Sequence, residues 1–279
     1  MCVISVIENE NQIPSFKASK KMFNHNPHGS GLIVFDELKK RIYVKKGMDL
    51  KQINKMTLKQ KAKGNLNMVQ HYRIASVGSH DNKLLNHGFI IGNNIKNELE
   101  FITTNDVFCH NGTIDMDILN DMATNIMIKN PHAIYPSGEI SDSLLLSWIL
   151  NFVDYSILNM FTIDNKFTIM NGKTGKITKY GKWDKVKDDK NNLITSNNYF
   201  DDSMLFSDDY DTCKNDYNDN YMGEYLTQDE NIELKRLYKK YNNMFDSEKD
   251  IIEQFLSYGM SVYDIEDQIK AENIYEGYI

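Results

Sequence analysis

The sequence predicts a layered domain of the α/β or α+β class that ends near residue 200. Short β-branched runs, each bounded by Gly, Asn or Asp, recur through the first 200 residues. Helical runs with regularly spaced apolar residues lie between them. No Gly-rich loop of the dinucleotide or P-loop type joins a strand to a helix, so no nucleotide fingerprint is present. A hydrophobic content of 41% is enough for a sizeable core.

Nine runs are predicted as strands because they are short, apolar and bounded by turn residues. The segment NGKTGK (171–176) lies between two of them and predicts a hairpin turn. In chain order the runs are VISVI (3–7), GLIVF (31–35), RIYVKK (41–46), VQHYRIAS (69–76), HGFII (87–91), DVFCHNG (106–112), KFTIM (166–170), GKITKYG (175–181) and NLITSNNYF (192–200).

Four segments have helical spacing. Pro14 is suited to be the first helical residue ahead of SFKASKKMF (15–23), and Gly64 to end the helix over 50–64. The third helix, over 115–128, spaces four apolar residues at helical intervals: Ile114, Ile118, Leu119 and Met122. The fourth, over 141–158, is apolar on most sides, so we expect it to be buried in the core.

The composition and the periodicity of the chain change after residue 200. Residues 1–200 are predicted to form the main domain, 201–225 an acidic linker, and 226–279 a helical appendage. Thr227 and Glu230 have the spacing of a capping box at the start of that appendage. Such amphipathic helices either brace a domain or dock a partner protein, and the brace is the commoner role.

Charge and composition exclude several classes of protein. The net charge of −7 argues against nucleic-acid binding through a basic surface. No apolar run is long enough to span a bilayer, and we expect neither a signal peptide nor a membrane partner. Three isolated cysteines, Cys2, Cys109 and Cys213, favour a reducing cytoplasm over a disulfide framework. No zinc-binding spacing occurs, so neither a metal nor another cofactor is expected.

A cysteine directly follows the initiator methionine, at the head of the first predicted strand. If Met1 is removed, Cys2 carries both a thiol nucleophile and a free α-amine that can act as its base. A buried cysteine is more often only a small apolar residue, so the pattern needs support from other residues.

Three further motifs supply that support. Arg73 can bind a carboxylate with its two-pronged guanidinium, and Asp142 can hold an ammonium group. Asn111 and Gly112 can donate an amide and a backbone N–H to an oxyanion. Each also has a structural alternative. Arg73 could form a surface ion pair, Ser141 or Asp142 could cap the helix, and Asn111 with Gly112 could form a turn. Together with a thiol and an amine they match the groups of one substrate, glutamine.

In these pieces the sequence resembles the class II glutamine amidotransferases, which belong to the N-terminal nucleophile (Ntn) hydrolases. The matching pieces, in family order, are MC at the start, NPHGSG (26–31), HYRIASVG (71–78), NHGF (86–89), HNGTI (110–114) and SDS (141–143), with SNNYF (196–200) at the close. The resemblance covers roughly residues 1–200 and is strongest to small stand-alone members that lack a synthetase domain. His28 and Gly88 depart from the family, which often has an acidic residue and a proline there.

The resemblance implies a four-layer αββα sandwich, two sheets faced by helices, and ammonia release from glutamine. It implies Cys2 as the nucleophile with its own α-amine as base, and Asn111 with Gly112 as the oxyanion hole. Arg73 and Asp142 would bind the substrate's carboxylate and amine, and Ser76 and His87 would line the pocket. The ammonia acceptor stays open, whether an enzyme or a protein docked on the C-terminal helices.

Three alternatives also stay open. The domain could hydrolyse another γ-glutamyl or acyl amide, although Arg73 and Asp142 favour an amino-acid substrate. It could be a binding or regulatory protein on the same fold. Cys109 could instead pair with His110 or His87 as an ordinary Cys–His unit, which ranks well below the N-terminal mechanism.

Overall fold

The computed structural model describes residues 2–74, 81–93, 95, 97–188, 191–200 and 265. The chain divides into two compact units, Met1–Asp201 and Asp202–Ile279. Apart from Ile265, the predicted linker (201–225) and helical appendage (226–279) lie outside the described residues, as does Ser76.

The first unit is a mixed α+β structure with two antiparallel sheets. The larger sheet has the strand order β10-β11-β1-β4-β2-β3-β6, and the smaller has the order β5-β7-β8-β9. The strands are β1 (Val3–Ile7), β2 (Ser30–Asp36), β3 (Arg41–Met48), β4 (Met68–Tyr72), β5 (Phe89–Ile90), β6 (Glu100–Thr103), β7 (Val107–Asn111), β8 (Lys166–Met170), β9 (Ile177–Tyr180), β10 (Asp184–Asp188) and β11 (Asn191–Thr195).

The described α-helices are α1 (Phe16–His25), α2 (Leu50–Ala62), α3 (Met116–Lys129) and α4 (Asp142–Ile149). Each begins behind a polar residue whose side chain accepts a hydrogen bond from a backbone N–H of the first turn; these residues are Ser15, Asp49, Asp115 and Ser141. Short 3₁₀ helices cover Glu10–Gln12, Lys83–Leu85 and Tyr155–Phe161. None of the described helices combines the length and the apolarity needed to cross a membrane.

Strand alternation divides the apolar residues among three clusters. Val3 and Ile7 of β1 belong to a cluster that includes residues of α1 and α2. Ile4 and Val6 point to the opposite face and pack in a cluster made of strands from both sheets. A third cluster joins strands β7 and β8 to residues of α3 and α4, with the buried Trp148 among them. Each sheet therefore contributes residues to two clusters.

Each of the nine predicted runs contains a strand, but β5 covers only Phe89–Ile90, and β4 and β11 end before the runs predicted for them. The hairpin at NGKTGK is confirmed, because Met170 of β8 pairs with Ile177 of β9. Strands β6 and β10 were not predicted. Only Val186 of their nine residues is buried, and edge strands such as β6 and β10 carry little apolar signal.

The helix predictions were wrong in two details, at Pro14 and at the end of the fourth helix, and the third helix is confirmed. Pro14 is not the first helical residue, because Ser15 caps the helix and also bonds to Asp188. The helix predicted over 141–158 ends at Ile149, and Asp154 starts a separate 3₁₀ helix by accepting the Ser156 N–H at 2.8 Å. In α3 the buried face is Leu119, Ala123 and Ile126, whereas Ile118 is 48% exposed.

Candidate functional site

Cys2 immediately precedes β1, an inner strand of the large sheet that pairs with β4 on one side and β11 on the other. Val3 lies opposite Tyr72, which brings Cys2 beside the end of β4. The Cys2 thiol donates to the Ile74 carbonyl with Sγ–O 3.5 Å, and Asn197 Nδ2 donates to the Cys2 carbonyl at 2.7 Å. The second residue of the chain is therefore held from both sides.

Ser196 connects this part of the large sheet to the end of β7 in the small sheet. Its hydroxyl oxygen accepts from the Ile4 backbone N–H at 2.9 Å and from Asn111 Nδ2 at 2.8 Å. The Ser196 N–H in turn donates to the Ile4 carbonyl at 2.9 Å. An amide nitrogen carries two hydrogens, so Asn111 keeps a second N–H that can donate to another acceptor.

Gly112 follows Asn111 with a backbone φ of +146°, a conformation that side chains rarely adopt. A Cβ built on it would overlap Asn165 Oδ1 and lie 3.0 Å from His110 Nε2. The glycine is thus required both by the backbone and by its neighbours.

Arg73 follows β4 directly and is only 5% exposed. Its N–H donates to the Gly29 carbonyl at 2.9 Å, and its carbonyl accepts from the His28 N–H at 3.0 Å. The guanidinium reaches the Asn82 carbonyl with Nη1–O 3.4 Å. Burial lowers the pKa of Arg73, and the charge of Glu139 is among the effects that oppose this.

Asp142 is the first residue of α4. The N-cap is Ser141, whose Oγ accepts from the Leu144 N–H at 3.2 Å, so the alternative role of Asp142 as the cap is wrong. The Asp142 carboxylate instead accepts from the Ile114 N–H at 3.0 Å and the Ser143 N–H at 2.7 Å. Its side chain is 19% exposed.

The charges of Arg73 and Asp142 both act on the Cys2 thiol. Burial raises the pKa of that thiol above its usual range. The positive charge of Arg73 lowers the same pKa, whereas the negative charge of Asp142 raises it. The thiol therefore lies within electrostatic range of both the Arg73 cation and the Asp142 carboxylate.

His87 lies in a stack of three buried histidines. Its ring centroid is 4.0 Å from that of His71 and 6.3 Å from that of His110. The backbone N–H of His87 donates to His71 Nδ1, and that of His110 donates to His87 Nδ1. Burial lowers the pKa of His71 to about 3 and also lowers those of His87 and His110, so the stack is neutral at neutral pH. Among the described contacts of His87, none is to Cys2.

His110 connects the start of β8 to Asp142. Its Nε2 lies 2.8 Å from Asn165 Oδ1 and its Nδ1 lies 2.9 Å from Ser143 Oγ. Ser143 Oγ is also 3.2 Å from Asp142 Oδ1. Since Asn165 accepts at Nε2, that nitrogen carries the proton, and the single hydroxyl hydrogen of Ser143 can be donated either to Nδ1 or to the Asp142 carboxylate.

Cys109 and His110 do not form the alternative Cys–His unit, because neighbouring residues of β7 point to opposite faces. Cys109 packs in the cluster shared by the two sheets, is fully buried, and has its thiol pKa raised by burial.

Sequence reasoning missed Lys46, which is 4% exposed. Its Nζ donates to Asn97 Oδ1 at 2.7 Å and lies 4.3 Å from the ring centroid of Phe89. Burial lowers the pKa of Lys46 to about 7. The alternation in RIYVKKGM places Lys46 on the same face as Ile42 and Val44, so this lysine could have been found. SNNYF (196–200) marked Ser196 and Asn197 only as the close of the domain; the contacts of these two residues and of Asn165 could not be predicted, because their partners are distant in sequence.

Within the described residues, His, Cys, Asp and Glu nowhere group in a way that could hold a metal ion. No protein-family model matches this chain, and no curated protein is significantly similar to it.

Proposed function

We propose that this protein is an amide hydrolase of the class II glutamine amidotransferase type, which releases ammonia from glutamine. The observation that carries the proposal is the position of Cys2. A thiol at residue 2 is held at the head of an inner strand, where the charges of a buried cation, Arg73, and a carboxylate, Asp142, both act on it. Glutamine has the complementary α-carboxylate and α-ammonium group.

The proposed reaction begins with removal of Met1, which frees the α-amine of Cys2. That amine takes the thiol proton, and the thiolate attacks the side-chain amide carbon of glutamine. The second hydrogen of Asn111 Nδ2 and the Gly112 N–H stabilise the oxyanion. The ammonium form of the amine returns the proton to the leaving nitrogen, ammonia departs, and water hydrolyses the thioester to glutamate and free thiol.

The proposal includes the αββα architecture of the Ntn hydrolases. Three observations support it: one apolar cluster joins the large sheet to α1 and α2, a second joins the two sheets, and a third joins the small sheet to α3 and α4. The mechanism also requires a free thiol, which suits a cytoplasmic location.

The test is glutamate and ammonia release from glutamine by the full chain, after mass spectrometry has shown that Met1 is absent. Cys2→Ala should abolish the activity and Cys109→Ala, at the buried thiol, should retain it. Unchanged turnover by Cys2→Ala would refute the mechanism. If the correctly processed chain hydrolyses other γ-glutamyl amides but not glutamine, the substrate assignment is wrong and the nucleophile stands.

A further inference from the structure

A groove that the proposed reaction does not use lies along strand β3. It encloses a volume of ≈ 380 Å³ and is lined by residues of β2, β3, α2 and β6. Arg41 and Lys45 border it from β3, and Lys59 and Lys63 border it from the end of α2. Val34, Tyr43 and Met56 are among the less polar residues between these two rows.

The groove is remote from Cys2. Val34 pairs with Tyr43, and Asp36 with Arg41, near the β2–β3 turn, whereas Ser30, at the other end of β2, pairs with Tyr72 beside the head of β1. Val34 also belongs to the cluster that contains α1 and α2, on the opposite face of the sheet from Ile4 and Val6. The groove is therefore a separate feature.

The charge of the groove is opposite to that of the chain. Five cationic side chains (Lys39, Arg41, Lys45, Lys59 and Lys63) and two carboxylates (Asp36 and Glu100) line it, whereas the whole chain has a net charge of −7. Glu100 is engaged by Lys45 at 3.1 Å and by the Tyr43 hydroxyl at 2.8 Å. Among the described residues, the side chains of Lys39, Arg41, Lys59 and Lys63 have no carboxylate partner. Such a concentration of cations costs electrostatic energy unless an anion neutralises it.

We propose that this groove binds a small phosphorylated ligand of the nucleoside diphosphate class. The surplus of three positive charges among these side chains matches such a ligand, which carries about three negative charges at neutral pH. Arginine and lysine on facing walls can bind separate phosphate groups. Tyr43, Met56 and the half-exposed Ile102 offer contact to the organic part. The volume is within the range of about 300–1,000 Å³ usual for small-molecule sites.

The test is calorimetric titration of the full chain with ADP, compared with pyrophosphate and with a glutamate-rich peptide. Lys59→Glu/Lys63→Glu reverses two charges in the groove, and Lys17→Glu/Lys20→Glu makes the same change at exposed positions of α1. We expect ADP to bind, the groove variant to weaken binding at least tenfold, and the α1 variant to weaken it less than threefold.

Four results would overturn the proposal: no ADP binding at millimolar concentration, equal weakening by the two variants, equal affinity for pyrophosphate, or tighter binding of the peptide. Equal affinity for pyrophosphate would show that the organic part does not contribute to binding, and tighter binding of the peptide would indicate a protein partner instead. Since neither variant changes a residue of the candidate active site, glutamine hydrolysis can be measured separately on the same samples.

Discussion

Replacement of Gly112 by alanine should destabilise the fold by far more than an ordinary glycine substitution. The φ of +146° alone costs a side chain about 1–2 kcal/mol. The new Cβ would also overlap Asn165 Oδ1, which has to move and give up its bond to His110 Nε2. Loss of one buried hydrogen bond adds about 1–3 kcal/mol. We therefore expect the free energy of unfolding to fall by about 2–5 kcal/mol in total.

Urea denaturation followed by the fluorescence of Trp148 and Trp183 would measure this change. Gly64→Ala is the matched control, because Gly64 also has a positive φ, of +77°, but has open space around its Cβ position. It should cost about 1 kcal/mol. In an Asn165→Ala background, where the overlapping atom is gone, Gly112→Ala should cost about 1–2 kcal/mol, the cost of its backbone conformation alone. Equal costs for Gly112→Ala and Gly64→Ala in the native background would refute the reasoning.

Three other predictions follow from the site and its surroundings. Ser196→Ala leaves the Ile4 N–H and the Asn111 amide without their acceptor, so it should lower the free energy of unfolding by about 2–4 kcal/mol in urea denaturation. The control is Ser147→Ala, which removes only one donor and should lower that free energy by about 1 kcal/mol. The unfolded chain holds the Lys46 proton more tightly than the folded chain, since burial lowers the folded pKa to about 7. Stability should therefore rise with pH from about 7 to 10.5, by up to about 1.4 kcal/mol per unit, and Lys46→Met but not Lys45→Met should remove that slope in urea titrations at several pH values. If glutamine is the substrate, Asp142→Asn should raise its KM at least tenfold in an ammonia-release assay with little change in kcat, while Asp117→Asn, on the surface of α3, should leave KM unchanged.

The parts of the fold that the sequence predicts are those with a strong local pattern. VISVI, GLIVF and KFTIM are apolar runs between turn residues, and each is a strand. The weak edge strand β6 and the exposed β10 escaped, because their hydrogen bonds depend on neighbours supplied by the tertiary structure. Periodicity also does not reveal that α4 ends at Ile149 or that Asp154 begins a separate 3₁₀ helix.

The candidate site also contains some residues that the sequence predicts and others that it does not. Cys2, Arg73 and Asp142 could be chosen because their chemistry is distinctive and their motifs occur in a recognisable order. Ser196 could not, because its importance comes from contacts to Ile4 and Asn111, which are 192 and 85 residues away. A serine has no sequence signal for such a contact. The stacking of His71, His87 and His110 likewise joins residues of the large and the small sheet and has no local signal in the sequence.

The pairing of β1 on both edges has a practical consequence for anyone who handles this protein. The residues just behind the start of the chain are fixed by β4 and β11, and Asn197 holds the Cys2 carbonyl. Extra residues in front of Cys2 therefore extend from a fixed point of the large sheet. If Cys2 is the nucleophile proposed above, an affinity tag at that end would remove its free α-amine, so protein meant for activity measurements should carry its tag after Ile279.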